Sequence, residues 1–191
     1  MPAVLDPARR GGAARRRPAQ VHAPARAGDE SDLEHMWAAL AAGEITHISS
    51  DHAPSTREQK ADGSIWDVHF GLPGIDTTMP ILLDAAARGL ISYERLVACY
   101  SEEPARIYGI AGKGRLEPGA DADVILVDPA HRWTVTASEL SSKAGWSPFE
   151  GRELTGRTVR SYLRGELIAG DGFLAEPGVG RFLPGAGARS E

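Results

Sequence analysis

The chain has 191 residues, of which 42% are hydrophobic and 25% charged, with a formal net charge of −5 at pH 7. These values are typical of a globular protein and exclude collagen-like, wholly disordered and disulfide-rich chains. The single cysteine, Cys99, permits no intrachain disulfide, so we expect a cytoplasmic protein. No apolar run approaches the roughly 18 residues of a membrane span, so we expect no membrane partner.

The first segment, residues 1–28, is strongly basic. Residues 1–26 hold six arginines and one acidic residue, a formal +5 that leaves −10 for the remainder. Its Ala, Arg, Pro and Gly content predicts a disordered leader. A basic arm can bind nucleic acid through phosphates, but this arm has no aromatic residue to stack on bases, so we expect no nucleic-acid partner.

Residues 29–110 have the pattern of an α/β unit. Apolar residues at helical spacing predict a helix from Ser31 to a stop at Gly43, and the β-branched segment 44–50 predicts a strand that ends at Asp51. In α/β folds the carboxyl ends of the strands face the active site. Asp51 is therefore placed where a functional side chain is expected.

The rest of this part predicts a long loop and two helices. The Gly- and Pro-rich stretch 55–75 is the loop. The helices are 76–88, with Pro80 in its opening turn, and 92–108, which Pro104 breaks near Glu103.

From residue 111 the pattern favours strands. The apolar run 124–127 predicts a short buried strand, 134–136 a further extended piece, and 158–163 with 166–169 a hairpin that turns at Arg164 and Gly165. We therefore divide the chain into a leader (1–28), an α/β part (29–110), a β part (111–183) and a tail (184–191).

An ordered series of motifs gives these parts a family resemblance. The motifs are SDHAP at 50–54, EQK at 58–60, GLPGI at 71–75, SEEPARIYG at 101–109, KGRL at 113–116 with PGADAD at 118–123, and PFEG at 148–151. In this order they resemble the C-terminal portion of the cyclic amidohydrolases, which comprise hydantoinases and dihydropyrimidinases, allantoinases and dihydroorotases.

The resemblance implies an α/β fold, namely the C-terminal fragment of a (β/α)₈ TIM barrel (29–110) with part of a small β-sandwich domain (111–183). It also implies hydrolysis of a ring C–N bond at a pair of divalent metal ions, expected to be zinc. Asp51 matches the aspartate that ends the eighth barrel strand, so it is implied as both metal ligand and catalytic proton shuttle. Amide hydrolysis near neutral pH needs a metal to activate water and a nearby carboxylate to move its proton. Without the family, the spacing alone favours a turn or cap residue before Ala-Pro as the interpretation of Asp51.

The loop motif implies a substrate site formed by Gly71, Leu72, Pro73 and Gly74, where glycines let the backbone approach a ring; an ordinary glycine turn is the alternative. Because adjacent side chains on a strand point to opposite faces, we expect His52 to be packed or hydrogen-bonded rather than a ligand. We expect His47 to pack in the core and Lys60 to be a solvated charge.

The family's other metal ligands, a His-x-His pair, a carboxylated lysine and two further histidines, have no match here. The chain alone is therefore expected to be inactive and to need a complementing N-terminal half or a homo-oligomer. A small cyclic ureide is the expected substrate. Hydantoinase and allantoinase motifs are both present, and Ser55, where dihydroorotases commonly carry a histidine, makes dihydroorotase the alternative. A catalytically inactive interaction fragment is a further alternative.

Overall fold

A computed structural model describes residues 30–64 and 66–186. The predicted leader 1–28 lies outside the described residues, as do residues 187–191 of the predicted tail. No helix in the described ranges combines the length and the apolar character needed to cross a bilayer.

Helices come first along the chain and strands second. The helices are α1 (Glu30–Ala42), α2 (Arg57–Ala61), α3 (Ile75–Ala87), α4 (Tyr93–Val97) and α5 (Glu103–Ile107), with a π-helical turn at Ala98–Glu102 between the last two. The strands are β1 (Val124–Thr134), β2 (Glu153–Leu163), β3 (Glu166–Gly170) and β4 (Gly172–Phe173). They form one antiparallel sheet in the order β1-β2-β3-β4.

Helix α3 is the centre of the packing. Leu82 and Leu83 join the core formed with α1 and α4, while Ile81 joins a second core with Val135, Phe149 and Leu154. The buried Asp84 of α3 accepts a hydrogen bond from the Thr155 N–H of β2 at 3.0 Å. Helix α3 therefore packs against both the other helices and the sheet. The division of the chain into two domains at residue 111 stays a prediction.

Two local predictions are confirmed. Helix α1 ends before Gly43, whose φ of 85° lets the chain leave the helix. The β2–β3 hairpin turns at Arg164 and Gly165, with φ values of 51° and 85°, the pair of positive angles that a tight type I′ hairpin requires.

The predicted strand 44–50 is wrong as a paired strand. The segment is unpaired in the structure, since the described residues supply no neighbouring strand, and the only described pairing nearby is an isolated parallel bridge between His52 and Leu72. Strand hydrogen bonds need a partner, so β-branched residues alone do not form a ladder.

Three further details differ from the prediction. The loop 55–75 contains α2, because Thr56 and Gln59 form a reciprocal capping box. Helix α3 continues through Pro80, which lies inside it. The run 124–127 opens the longer strand β1, in which the adjacent residues Ile125 and Leu126 are each 44% exposed, so the run is not the buried strand that was predicted.

The predicted re-start of the helix near Glu103 is confirmed, but the helical path is not broken and continues through the π turn Ala98–Glu102. The Glu103 N–H bonds to the Ala98 carbonyl five residues back, and Pro104 has no N–H to offer the Cys99 carbonyl. That carbonyl instead accepts a hydrogen bond from the Ile48 N–H at 3.1 Å. The π turn therefore ties the helices to the segment that carries Asp51.

Candidate active-site segment

The extended segment 44–50 is positioned by side chains and helix carbonyls rather than by a sheet. The Arg95 guanidinium donates to the Leu40 carbonyl at the end of α1 and to the carbonyls of Ile45 and Thr46. A guanidinium has several donors in a rigid fork, so one side chain can hold three carbonyls. Together with Ile48, these contacts fix the segment before Asp51.

Asp51 sits at the end of this segment in the left-handed region, with φ of 46°. Aspartate is among the few side chains that adopt this region readily. The residues on either side of Asp51 are linked, because the Ser50 hydroxyl accepts a hydrogen bond from the His52 N–H at 3.3 Å. The Asp51 side chain is exposed, and within the described ranges it makes no hydrogen bond or ion pair. Its carboxylate is therefore available to a ligand.

The loop 70–75 lies directly against residues 51–54. The Ala53 N–H donates to the Leu72 carbonyl at 3.0 Å, and His52 bridges to the same residue. A Cβ added at Gly71, where φ is 92°, would lie 2.4 Å from the Ala53 Cβ. Glycine is therefore required here by packing between two segments of the chain.

The structure places the predicted loop residues beside the Asp51 segment and buries some of them. Pro73 and Gly74 are buried, whereas Gly71 and Leu72 are half-buried. Binding of a substrate by these four residues stays a prediction. The close approach to Ala53 is sufficient to explain Gly71 without a ligand.

The prediction for Lys60 is wrong. Its side chain is only 5% exposed, and its ammonium donates to the His69 carbonyl at 3.0 Å. It also lies 6.0 Å from the centre of the Trp146 ring, whose indole N–H donates to the Ser55 carbonyl at 2.7 Å. Burial lowers the pKa of the Lys60 ammonium. Lys60 therefore links α2 to the later part of the loop at His69. The sequence of the charged stretch 57–60 does not show that one of its side chains is buried.

The histidines near Asp51 have structural contacts. His47 is half-buried rather than deep in the core, and its ring packs edge-on against Tyr108 with centroids 5.7 Å apart. His52 is hydrogen-bonded, as predicted, through Nδ1 to the N–H groups of Gly74 and Ile75. Neither contact is visible in the local sequence, since the partners lie 22 to 61 positions away.

The donors present do not make a metal centre by themselves. Across residues 30–64 and 66–186, no three His, Cys, Asp or Glu side chains lie together in a group that could hold an ion. Asp51 can supply one ligand, and a closed zinc site has about four.

Comparison with known proteins identifies the family. Residues 23–166 match the model of the amidohydrolase family. The chain belongs to the amidohydrolase family.

Two curated relatives and one solved structure describe the extent of the match. A dihydroorotase of Pyrococcus abyssi is 41% identical over 152 residues, which are 80% of this chain and 35% of the relative. An allantoinase of Rubrobacter xylanophilus is 35% identical over 80% of this chain and 34% of its own length. The D-hydantoinase of Thermus sp. superposes with a TM-score of 0.81 at 29% identity, over 86% of this chain and 37% of that one.

The amidohydrolase chain thus spans about a third of the length of these relatives. Its fold is an α/β fragment of a TIM-barrel amidohydrolase, as predicted. The family is in general metal-dependent, and the described residues of this chain bring together no group of three metal-donor side chains.

Proposed function

We propose that this chain is the C-terminal part of an enzyme that hydrolyses the C–N bond of a cyclic amide or ureide. The observation that carries the proposal is Asp51, an exposed and unpaired carboxylate at the end of an anchored segment, in a chain of the amidohydrolase family. The chain alone is expected to be inactive, because no three metal-donor side chains lie together among the described residues, whereas a zinc site needs about four ligands.

The proposed role of Asp51 follows from its chemistry. An exposed carboxylate can accept the proton of an attacking water and return it to the leaving ring nitrogen. The same oxygens make Asp51 a proposed ligand of a divalent metal, which we assign as zinc in a dinuclear centre of the complete enzyme. Such a metal supplies Lewis acidity when it is bound.

A cyclic ureide is the proposed substrate, with the loop 71–74 next to it. The named relatives include a dihydroorotase and an allantoinase, and the structural neighbours include a D-hydantoinase. The 41% identity to the dihydroorotase favours dihydroorotate as a second candidate, despite Ser55.

The proposed partner is a complementing N-terminal half or further copies of the chain, in the cytoplasm. A catalytically inactive interaction fragment is the alternative function, and the lack of a group of metal donors among the described residues favours it over an active isolated chain.

Both functions are tested with two preparations. The first is the chain as it stands, assayed with zinc on dihydroorotate, allantoin, dihydrouracil and a 5-substituted hydantoin. The second is a chimaera in which residues 31–183 replace the matching segment of the dihydroorotase relative. We expect no turnover by the first and ring opening by the second. A chimaera that folds, binds metal and opens none of the rings would favour the inactive fragment.

A further inference from the structure

His52 covers the beginning of α3. Its Nδ1 atom accepts hydrogen bonds from the Gly74 N–H at 3.0 Å and the Ile75 N–H at 3.1 Å. These groups lie at the helix N-terminus, where backbone N–H groups have no partner within the helix. Gly74, the N-cap residue, has no side chain to supply one. The cap therefore comes from a side chain 22 residues earlier in the chain.

These bonds determine the protonation pattern of the imidazole ring. A ring nitrogen that accepts hydrogen bonds carries no hydrogen, so Nδ1 is bare. A ring that accepts at Nδ1 carries its hydrogen on Nε2. In this form the Nδ1 lone pair is engaged by two donors and is not available to a metal ion.

The same ring joins the two segments of the candidate site. His52 follows Asp51 directly, and Gly74 ends the loop 71–74 that we propose to bind substrate. The Ala53 N–H to Leu72 carbonyl bond, at 3.0 Å, is a second tie between these segments. The residues that flank the loop are open to solvent, since Phe70 is 67% exposed and Ile75 60% exposed.

We propose that His52 is a positioning residue, which holds the loop 71–74 beside Asp51 by capping α3 through Nδ1 in its Nε2–H form. The description of 71–74 as a substrate loop rests on the proposed function. The anchoring itself does not, because it concerns only bonds within this chain.

Nitrogen NMR of the uniformly labelled full chain tests the ring. Long-range proton–nitrogen correlations distinguish the two neutral forms, and the His52 pattern is assigned by its loss in His52→Asn. We expect hydrogen on Nε2 and an unprotonated Nδ1. Hydrogen on Nδ1 would overturn the proposal. The measurement itself is made on the wild-type chain, and the His52→Asn variant is used only to assign the signal.

Amide hydrogen exchange tests the anchoring. The amide oxygen of asparagine can occupy the place of Nδ1, whereas leucine offers no acceptor. We expect amide exchange at Gly74 and Ile75 to be at least about tenfold faster in His52→Leu than in wild type, because each N–H loses its hydrogen-bond acceptor. In His52→Asn the exchange rates should stay close to those of wild type.

A matched control is His131→Leu, which removes a half-buried histidine on β1 and should leave Gly74 and Ile75 unchanged. Unchanged exchange in His52→Leu, or equal loss in the leucine and asparagine variants, would overturn the anchoring. Neither the NMR nor the exchange measurement uses a substrate or metal. A failed ring-opening assay would therefore not affect the proposal for His52, and a negative result for His52 would not affect the proposed ring opening.

Discussion

At the scale of single residues, Gly71 shows how closely the loop approaches the Asp51 segment. Gly71→Ala places a Cβ 2.4 Å from the Ala53 Cβ and also requires a positive φ of an L-residue. We expect a loss of about 2 to 4 kcal/mol in the free energy of unfolding, measured with urea, because strain and overlap both contribute.

Gly89→Ala is the matched control for this prediction. Gly89 has a φ of 76°, but a Cβ there would meet nothing within 4 Å. It should lose only about 1 kcal/mol, the backbone cost alone. Equal losses in the two variants would show that the approach to Ala53 is not tight.

A second residue-scale prediction concerns acid sensitivity. Burial raises the pKa of the Asp123 carboxyl, but hydrogen bonds from Lys113 and from the Arg164 N–H outweigh it and hold that pKa below its usual range. A lowered folded-state pKa adds stability above the unfolded value of about 3.9, and this stability is lost as the pH falls through the folded-state pKa.

Asp123→Asn should therefore lose about 1.5 to 3 kcal/mol at pH 7 and progressively less below pH 4. Urea unfolding at pH 7, 4 and 3 measures the difference. The exposed Asp171→Asn serves as the control and should stay within about 0.5 kcal/mol of wild type. A loss that is the same at pH 7 and pH 3 would contradict the ion-pair explanation.

At the scale of elements, hydrogen bonds from Arg95, rather than the predicted strand pairing, hold segment 44–50 in place. Arg95→Gln removes the fork that holds Leu40, Ile45 and Thr46. We expect the free energy of unfolding, measured with urea, to fall by about 1.5 to 3 kcal/mol, because charged hydrogen bonds to partly buried carbonyls are lost. Amide exchange at Ile48 should become faster.

Arg88→Gln is the control at this scale. Arg88 is 47% exposed in its side chain, and its ion pair with Asp84 is 3.7 Å long. Such a pair contributes about 0 to 1 kcal/mol. If Arg95→Gln were no more harmful than Arg88→Gln, the segment would have to be positioned by other contacts.

The elements also show what the sequence can and cannot predict. Helix α1 and the β2–β3 hairpin follow from local signals, namely apolar spacing, a glycine stop and a two-residue turn. The failure at 44–50 and the burial of Lys60 have a different cause. Both depend on partners far along the chain, and Arg95 lies 50 positions from Ile45.

The candidate site divides in the same way. Asp51 and the loop 71–74 could be singled out from motifs, because their residue types follow one another in a recognisable order. The cap that His52 provides could not, because a histidine before Ala-Pro carries no local sign of which backbone groups its ring will meet.

At the scale of the whole molecule, the sheet exposes apolar side chains on both of its faces. Ile125, Leu126, Val159 and Leu167 are 38 to 44% exposed, although β1 begins with four apolar residues in a row. Exposed apolar patches promote association. We expect the purified chain to self-associate with rising concentration in sedimentation velocity.

The double variant Ile125→Thr, Val159→Thr should shift this association to at least about tenfold higher concentration, since less apolar area is buried in the contact. Val97→Thr, at a 54% exposed helix position, is the control and should leave association unchanged. Association that responds equally to both would place the contact elsewhere.

The most direct measurement for the whole account is ring opening by the chimaera that joins residues 31–183 to the dihydroorotase relative, compared with its Asp51→Asn form. Asparagine keeps the size of the side chain but cannot accept the proton, so we expect kcat to fall by at least about 10²- to 10⁴-fold. The isolated chain should show no turnover. Turnover by the isolated chain, or a folded Asp51→Asn chimaera with undiminished kcat, would contradict the assignment of Asp51 as the catalytic carboxylate of a divided site.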